Sequence, residues 1–251
     1  MHSTTLTQIR SAFDDMNILS NDILLIHSAL YRFGRTDFSP LELINLIRSY
    51  VPYGAVVLPT FTYSFRRDEV FDCKKSMPDK KLGILVKSTF DMFDYRNMCP
   101  MFSFGAFGPE SKKILHRTSS NCFGKGSVFD RFCDHNVKII SLGVDFNSGL
   151  SMFMNFEKLA DVPYRSDLRL SGFVIEDNKC KSDIAIHYAR LETKYKDIKI
   201  DRNGMGQRLI KEKICKQYEL SKVPIYYLPS KKFRDYVVSA LNSDNFCMAS
   251  K

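Results

Sequence analysis

The chain has 251 residues, 44% of them hydrophobic and 13% aromatic, enough apolar matter to fill the core of one sizeable domain and too much for a disordered chain. Its 37 Lys and Arg against 28 Asp and Glu leave a formal net charge of +9, which attracts anions and repels polycations. The basic residues are scattered, without the long run of a nucleic-acid arm, and the longest apolar stretches, such as 23–26 and 54–58, fall far short of the roughly 18 residues of a membrane span.

Along the chain, Leu6, Ile9, Phe13 and Met16 recur at helical spacing, and 23–26 is a short apolar run closed by His27, the pattern of a buried strand. Ser39-Pro40-Leu41-Glu42 reads as an N-cap serine, a proline at the first helical position and a capping-box glutamate, predicting a helix to about Tyr50. Pro52 and Gly54 stop it, 55–58 is a second strand and 137–143 a third. Strand, helix, strand is the unit of an α/β sheet. Polar and aromatic loops follow the three strands at 28–34, 60–65 and 144–151, and loops beyond the carboxyl ends of such strands are expected to converge on one cleft. Phe173–Ile175 and Ile184–Tyr188 flank Asp177-Asn178 and predict an antiparallel hairpin. Helical segments at about 204–219 and 230–241 finish a chain read as one domain, 1–251. The expectation is a three-layer α/β/α sandwich around a mostly parallel or mixed sheet, with a C-terminal hairpin and helices.

Four segments hold side chains suited to chemistry. In His27–Gly34, backbone amides of a strand-to-loop turn with Arg32 and Arg35 can hold phosphate oxygens, although an ordinary loop has the same composition. Phe123-Gly-Lys-Gly-Ser127 completes no nucleotide fingerprint and reads as a tight turn. The hydroxyls of Pro59-Thr-Phe-Thr-Tyr-Ser-Phe65 suit an amide or a sugar, as they suit a half-buried edge. Glu157 sits among Met, Phe and Asn, either desolvated and suited to proton chemistry or paired with an arginine such as Arg165. His2, His116, His135 and His187 have no partner in sequence and are expected at the surface. Seven cysteines, an odd count without C-x-x-C spacing, predict reduced, packed thiols and no metal site. No secretory pattern opens residues 1–16, so a cytoplasmic location is expected.

The ordered series H-S-A-L-x-x-x-G at 27–34, P-T-F-T-Y-S-F at 59–65, F-D at 71–72, G-I-L at 83–85, R-x-x-x-P-x-F-S-F-x-A-x-G at 96–108, F-G-x-G-S at 123–127, L-G-V at 142–144 and E-x-x-x-x-V-P-Y-R at 157–165 resembles the aminoglycoside 3-N-acetyltransferase family over roughly residues 5–240. The resemblance implies an α/β/α fold and transfer of an acetyl group from acetyl-CoA, the acyl donor, to an amine, usually of an amino sugar. By the same resemblance His27, Ser28, Ala29 and Leu30, with Thr60, Thr62, Tyr63 and Ser64, line the coenzyme site, and Ser103 and Phe104 border it.

One departure matters. The family's T-x-x-H-x-x-E motif corresponds here to Ser151–Glu157, with Met154 at the position of the histidine taken as general base, and Cys99 stands at a second family histidine. A thioether accepts no proton at neutral pH. A positioned base contributes about 10²–10⁴ in rate, whereas holding amine and thioester together contributes up to roughly 7–11 kcal/mol. Three outcomes stay open: Glu157 or His27 supplies the base, Cys99 acts as a nucleophile in other chemistry, or the site binds without turnover. The positive charge favours an anionic acceptor, such as a nucleotide-linked amino sugar of surface-polysaccharide biosynthesis, over a polycationic aminoglycoside. The expected partner is thus a small amino sugar rather than nucleic acid, with homo-oligomerisation left open.

Overall fold

The structure is a computed structural model that describes residues 3–250; His2 lies outside them. The first half runs α1 (Leu6–Asp14), β1 (Ile23–Ser28), α2 (Pro40–Tyr50), β2 (Ala55–Pro59), α3 (Gly83–Thr89), β3 (Tyr95–Arg96), β4 (Phe104–Phe107) and α4 (Ser111–Leu115). The second half continues with α5 (Val128–Asp134), β5 (Lys138–Leu142), α6 (Met152–Leu159), β6 (Arg165–Glu176), β7 (Lys179–Arg190), α7 (Arg202–Lys211), β8 (Lys216–Leu220), β9 (Val223–Pro229) and α8 (Ser230–Ser243).

Local chemistry sets the boundaries. The Ser39 hydroxyl accepts from the Glu42 N–H at 3.2 Å while the Glu42 carboxylate accepts from the Ser39 N–H at 2.8 Å, so the predicted capping box starts α2, with Pro40 at its first turn. Thr5 and Gln8 cap α1 in the same reciprocal way. Each such cap satisfies amides that an open helix end leaves bare.

A seven-stranded sheet in the order β8-β9-β5-β1-β2-β4-β3 forms the middle layer. β1 pairs in parallel with β2 and with β5, and the remaining pairs are antiparallel, which makes the sheet mixed. Strand periodicity then splits the apolar residues between two cores. Leu24, Ile26, Val56, Leu58 and Ile140 pack on α1, α2 and α3, whereas Ile23, Leu25, Ala55, Val57 and Ile139 face α4 to α8. Near-continuous apolar strands are what a sheet covered on both faces requires. This is the α/β/α sandwich expected from the sequence.

The hairpin β6–β7 is longer than predicted, pairing Arg165 with Arg190 at one end and Glu176 with Lys179 at the other. Asp177 and Asn178 both adopt left-handed φ, 48° and 62°, the conformation that a two-residue turn demands of its central residues. Between 204 and 219 the expectation of one long helix fails. α7 ends at Lys211, Lys213 turns the chain with φ 57°, and residues 216–220 form β8, paired with β9 through Ser221 and Lys222. That turn lacks Gly, Asn or Asp, so it leaves no local mark, and half-buried Tyr218 and Leu220 show the alternation of a strand only once their neighbours are in place.

Candidate functional site

The carboxyl ends of β1, β2 and β5 open onto a cleft of about 260 Å³, close to the lower end of the roughly 300–1,000 Å³ usual for small-ligand sites. All three post-strand loops reach it: His27 to Tyr31 from the first, Phe61 from the second with Pro59 at the end of β2, and Val144, Ser148 and Gly149 from the third. Lys81 to Ile84 and Val86, at the start of α3, form the fourth wall. This wall was missed from residue chemistry, because a glycine and aliphatic side chains carry no signal of binding. The Arg32 guanidinium donates to the Gly143 carbonyl at 2.9 Å and pins the first loop to the turn after β5. Gly143 adopts φ 74°, and a Cβ there would meet Val223 and Phe33 at 3.1–3.2 Å.

His27 is the one titratable side chain in this lining that is also buried, at 4% exposure. It closes β1 opposite Ser141 of β5. Its Nε2 has no hydrogen-bond partner, and burial lowers its pKa to about 4. The imidazole is therefore neutral near pH 7, with an enclosed nitrogen beside the cleft that has no hydrogen-bond partner.

The hydroxyls of Thr60, Thr62 and Ser64 are spent on the fold. Thr60 N–H donates to the Ser103 carbonyl at 2.8 Å, Ser64 N–H to Pro100 at 2.8 Å and the Thr62 hydroxyl to the same carbonyl at 3.1 Å. Arg96 completes the seam, donating to the Thr60 and Ser103 hydroxyls at 3.0 and 3.1 Å and to the Thr60, Cys73 and Ser76 carbonyls. Its guanidinium lies within about 5 Å of the ring centroids of Phe71 and Phe90, at 5.2 and 4.9 Å, and burial lowers its pKa to about 10, so it stays charged. Tyr63 takes a left-handed φ of 56° and packs edge-on to Phe102. Phe104 is fully buried against Phe61. Of the candidates in 60–64 and 103–104, none lines the cleft; Phe61 does.

On α6, Met154 and Lys158 form the half-exposed face, and Glu157 is completely buried. Glu157 lies 2.8 Å from Arg165 Nε and accepts from Arg202 at 3.1 Å and from the Tyr164 hydroxyl at 3.3 Å. The Arg165 pair is an ionic contact that is off hydrogen-bond alignment, since Arg165 Nε has no hydrogen-bond partner. Two guanidiniums against one carboxylate leave the cluster net positive, and its acceptor oxygens are committed. Arg202, 45 residues away in the chain, left no sequence signal of this contact. His187, expected at the surface, is buried between Phe102 and Phe123, 5.2 and 6.2 Å centroid to centroid, because the inward face of β7 has to fill a core. His116 and His135 are exposed. Among the described residues no group of three or more His, Cys, Asp or Glu side chains is placed to hold a metal ion.

A family model described as aminoglycoside 3-N-acetyltransferase matches residues 25–242. Aminoglycoside N(3)-acetyltransferase IV of Salmonella sp is 23% identical over 201 residues, which cover 79% of this chain and 72% of that protein. Among solved structures, the apoenzyme of aminoglycoside acetyltransferase AAC(3)-IVa superposes with a TM-score of 0.79 at 18% identity, covering 99% of this chain and 92% of that one. AAC-IIIb, solved as a binary complex with CoASH, gives 0.80 at 17% identity over 96% and 97% of the two chains. The YokD protein of Bacillus subtilis gives 0.81 at 16% identity over 98% and 96%. At these identities the structural likeness speaks for the fold.

Proposed function

The chain belongs to the aminoglycoside 3-N-acetyltransferase family, acyl-CoA-dependent N-acyltransferases that acetylate an amine, and from that premise we propose that it acetylates an anionic, nucleotide-linked amino sugar used in surface-polysaccharide biosynthesis. The observation that carries the reading is the buried His27 with its unpartnered Nε2 in the wall of the strand-end cleft. Acetyl-CoA lies in that cleft with its thioester beside His27 and the backbone of Ser28, Ala29 and Leu30. Its phosphates reach the mouth, where Lys81 is exposed. Thr60, Thr62, Tyr63, Ser64, Ser103 and Phe104 serve the donor by holding the wall that carries Phe61.

The acceptor amine attacks the thioester carbonyl carbon, the C–S bond breaks, and the pair of electrons leaves on the coenzyme A sulfur. His27 takes the proton that the amine loses and returns it to that thiolate. Most of the acceleration comes from holding amine and thioester in contact. Glu157, committed to Arg165 and Arg202, positions those two guanidiniums instead of acting as the base. Their surplus positive charge and the net +9 of the chain favour an acceptor that carries phosphate or carboxylate. The whole chain, 1–251, works as one cytoplasmic catalytic domain.

Met154 motivates a second reading, a relative that kept the donor cleft and lost turnover. Calorimetry with acetyl-CoA and coenzyme A is the first test: absence of binding by both sinks the proposal. Thiol release is then followed with a panel containing nucleotide-linked amino sugars and aminoglycosides. Turnover of the anionic acceptors supports the proposal, turnover of aminoglycosides alone removes the anionic acceptor, and donor binding without any turnover favours the second reading.

A further inference from the structure

All seven cysteines are free thiols, and two of them meet away from the cleft. Cys99, in the turn after β3, and Cys122, just before Phe123, line one small cavity of about 10 Å³ together with Phe102, Arg117 and Asn121. Both are buried, at 7% and 4% exposure. The two thiols share this cavity, and the Phe102 backbone N–H donates to the Cys99 sulfur at 3.3 Å. Arg117 stands over the pair, held by the Met98 and Ser119 carbonyls at 3.0 and 3.1 Å and by the carboxylate of Asp183. Interaction between the two neighbouring thiols, helped by the Phe102 N–H and the Arg117 cation, holds the Cys99 thiol below the usual thiol range and pushes Cys122 up.

We propose that Cys99 and Cys122 are a peroxide-oxidisable dithiol, with Cys99 the attacking sulfur and Cys122 the resolving one. The Cys99 thiolate attacks one oxygen of hydrogen peroxide, the O–O bond breaks, and Cys99 becomes a sulfenic acid as hydroxide leaves and is protonated to water. Cys122 then attacks the sulfenic sulfur, the S–S bond forms, the S–O bond breaks, and a second water leaves with the Cys122 proton. Two thiols thus give two electrons and two protons to one peroxide. The cavity is at the lower limit for one water-sized sphere, which shuts out glutathione disulfide and leaves only the smallest oxidants, of the size of peroxide, to react as the walls open.

The bond clips together two segments that support the site. Cys122 N–H donates to the Ile186 carbonyl on β7 at 2.9 Å, and Cys99 precedes Pro100, whose carbonyl holds Thr62 and Ser64. Oxidation therefore ties the hairpin to the seam behind Phe61.

The test treats the folded, full-length Cys180→Ser protein, which lacks the exposed thiol, with graded hydrogen peroxide, and maps non-reduced peptides by mass spectrometry. The expected result is a Cys99–Cys122 cross-link that reverses with dithiothreitol. Loss of free Cys99 should be about tenfold or more faster than loss of Cys133 or Cys215, whose thiols burial pushes up to about 12. With Cys122→Ser, the Cys99 sulfenic acid should persist and be captured by dimedone, and in the Cys180→Ser protein glutathione disulfide should leave the pair reduced. A Cys99 that remains free while Cys133 or Cys215 is consumed, a different pairing, or equal reaction with glutathione disulfide overturns the proposal. If Cys122→Ser fails to fold by circular dichroism, the peptide map of the Cys180→Ser protein decides alone.

Discussion

The strand-end cleft and the α6–hairpin cluster are built from the same family series of motifs, but they treat their titratable groups in opposite ways. At the cleft the Nε2 of a buried imidazole is left without a hydrogen-bond partner, a state that costs stability. Around α6 the buried carboxylate is saturated by Arg165, Arg202 and Tyr164, and the neighbouring Met154 offers no proton acceptor. On the proposed mechanism the imidazole at the cleft is the base and the carboxylate on α6 is architectural.

The largest effect that sharpens this contrast is expected at His27. His27→Gln should lower kcat by about 10²–10⁴ while leaving the Kd for acetyl-CoA nearly unchanged, read by thiol release and calorimetry; a kcat within threefold of the parent, on the order of 0.7 kcal/mol, removes His27 as base. Next comes Glu157→Leu, which strands two buried guanidiniums and should cost about 3–5 kcal/mol in urea denaturation. A loss under about 1 kcal/mol would mean that the cluster is solvated and the assignment of architecture wrong.

Acid stability distinguishes the two regions without kinetics. The pKa of His27 falls from 6.5 in the unfolded chain to about 4 in the fold, so the unfolded state binds the extra proton first. Its contribution is complete above about pH 6.5 and is lost as pH falls towards 4, on the order of 3 kcal/mol. His187 is lowered to about 4 as well, by burial and then by Arg66 and Arg165, and adds to the same limb. Denaturation midpoints between pH 4 and 7 should be flatter in His27→Gln than in the parent, and coincident curves would contradict the burial of His27.

Thr60→Val leaves the Arg96 Nε short of an acceptor and should cost about 1–3 kcal/mol of stability with the affinity for coenzyme A intact; a selective loss of affinity would return Thr60 to the donor site. The smallest effect is expected at Met154→His, a change in kcat below about tenfold, because on the proposed mechanism His27 supplies the base. A rise from no activity to turnover would instead favour the reading of a binding protein.

Residue patterns settled a good deal of this protein. The capping box at Ser39, the apolar runs at 23–26 and 55–58, and the Asp177-Asn178 turn are written in short stretches whose chemistry acts over a few residues, so the layered α/β order and the convergence of three loops were legible. β8 was not, since its turn at Ser221-Lys222 has no local signature. Glu157 shows how far sequence reaches: pairing with Arg165 was one of its two readings, but nothing along the chain pointed to Arg202.

Residue type and order by themselves determined the family and the layered fold, and with the family came the expectation that Met154 stands where its motif carries a histidine. Only the tertiary structure decided which polar groups are satisfied. It withdrew the hydroxyls of Thr60, Thr62 and Ser103 into a seam with their long-range partners, buried His187, brought Cys99 and Cys122 to one cavity and left the enclosed Nε2 of His27 without a partner beside the cleft. Hydrogen-bond satisfaction and desolvation depend on neighbours far apart in the chain, and those neighbours exist only once the sheet has closed.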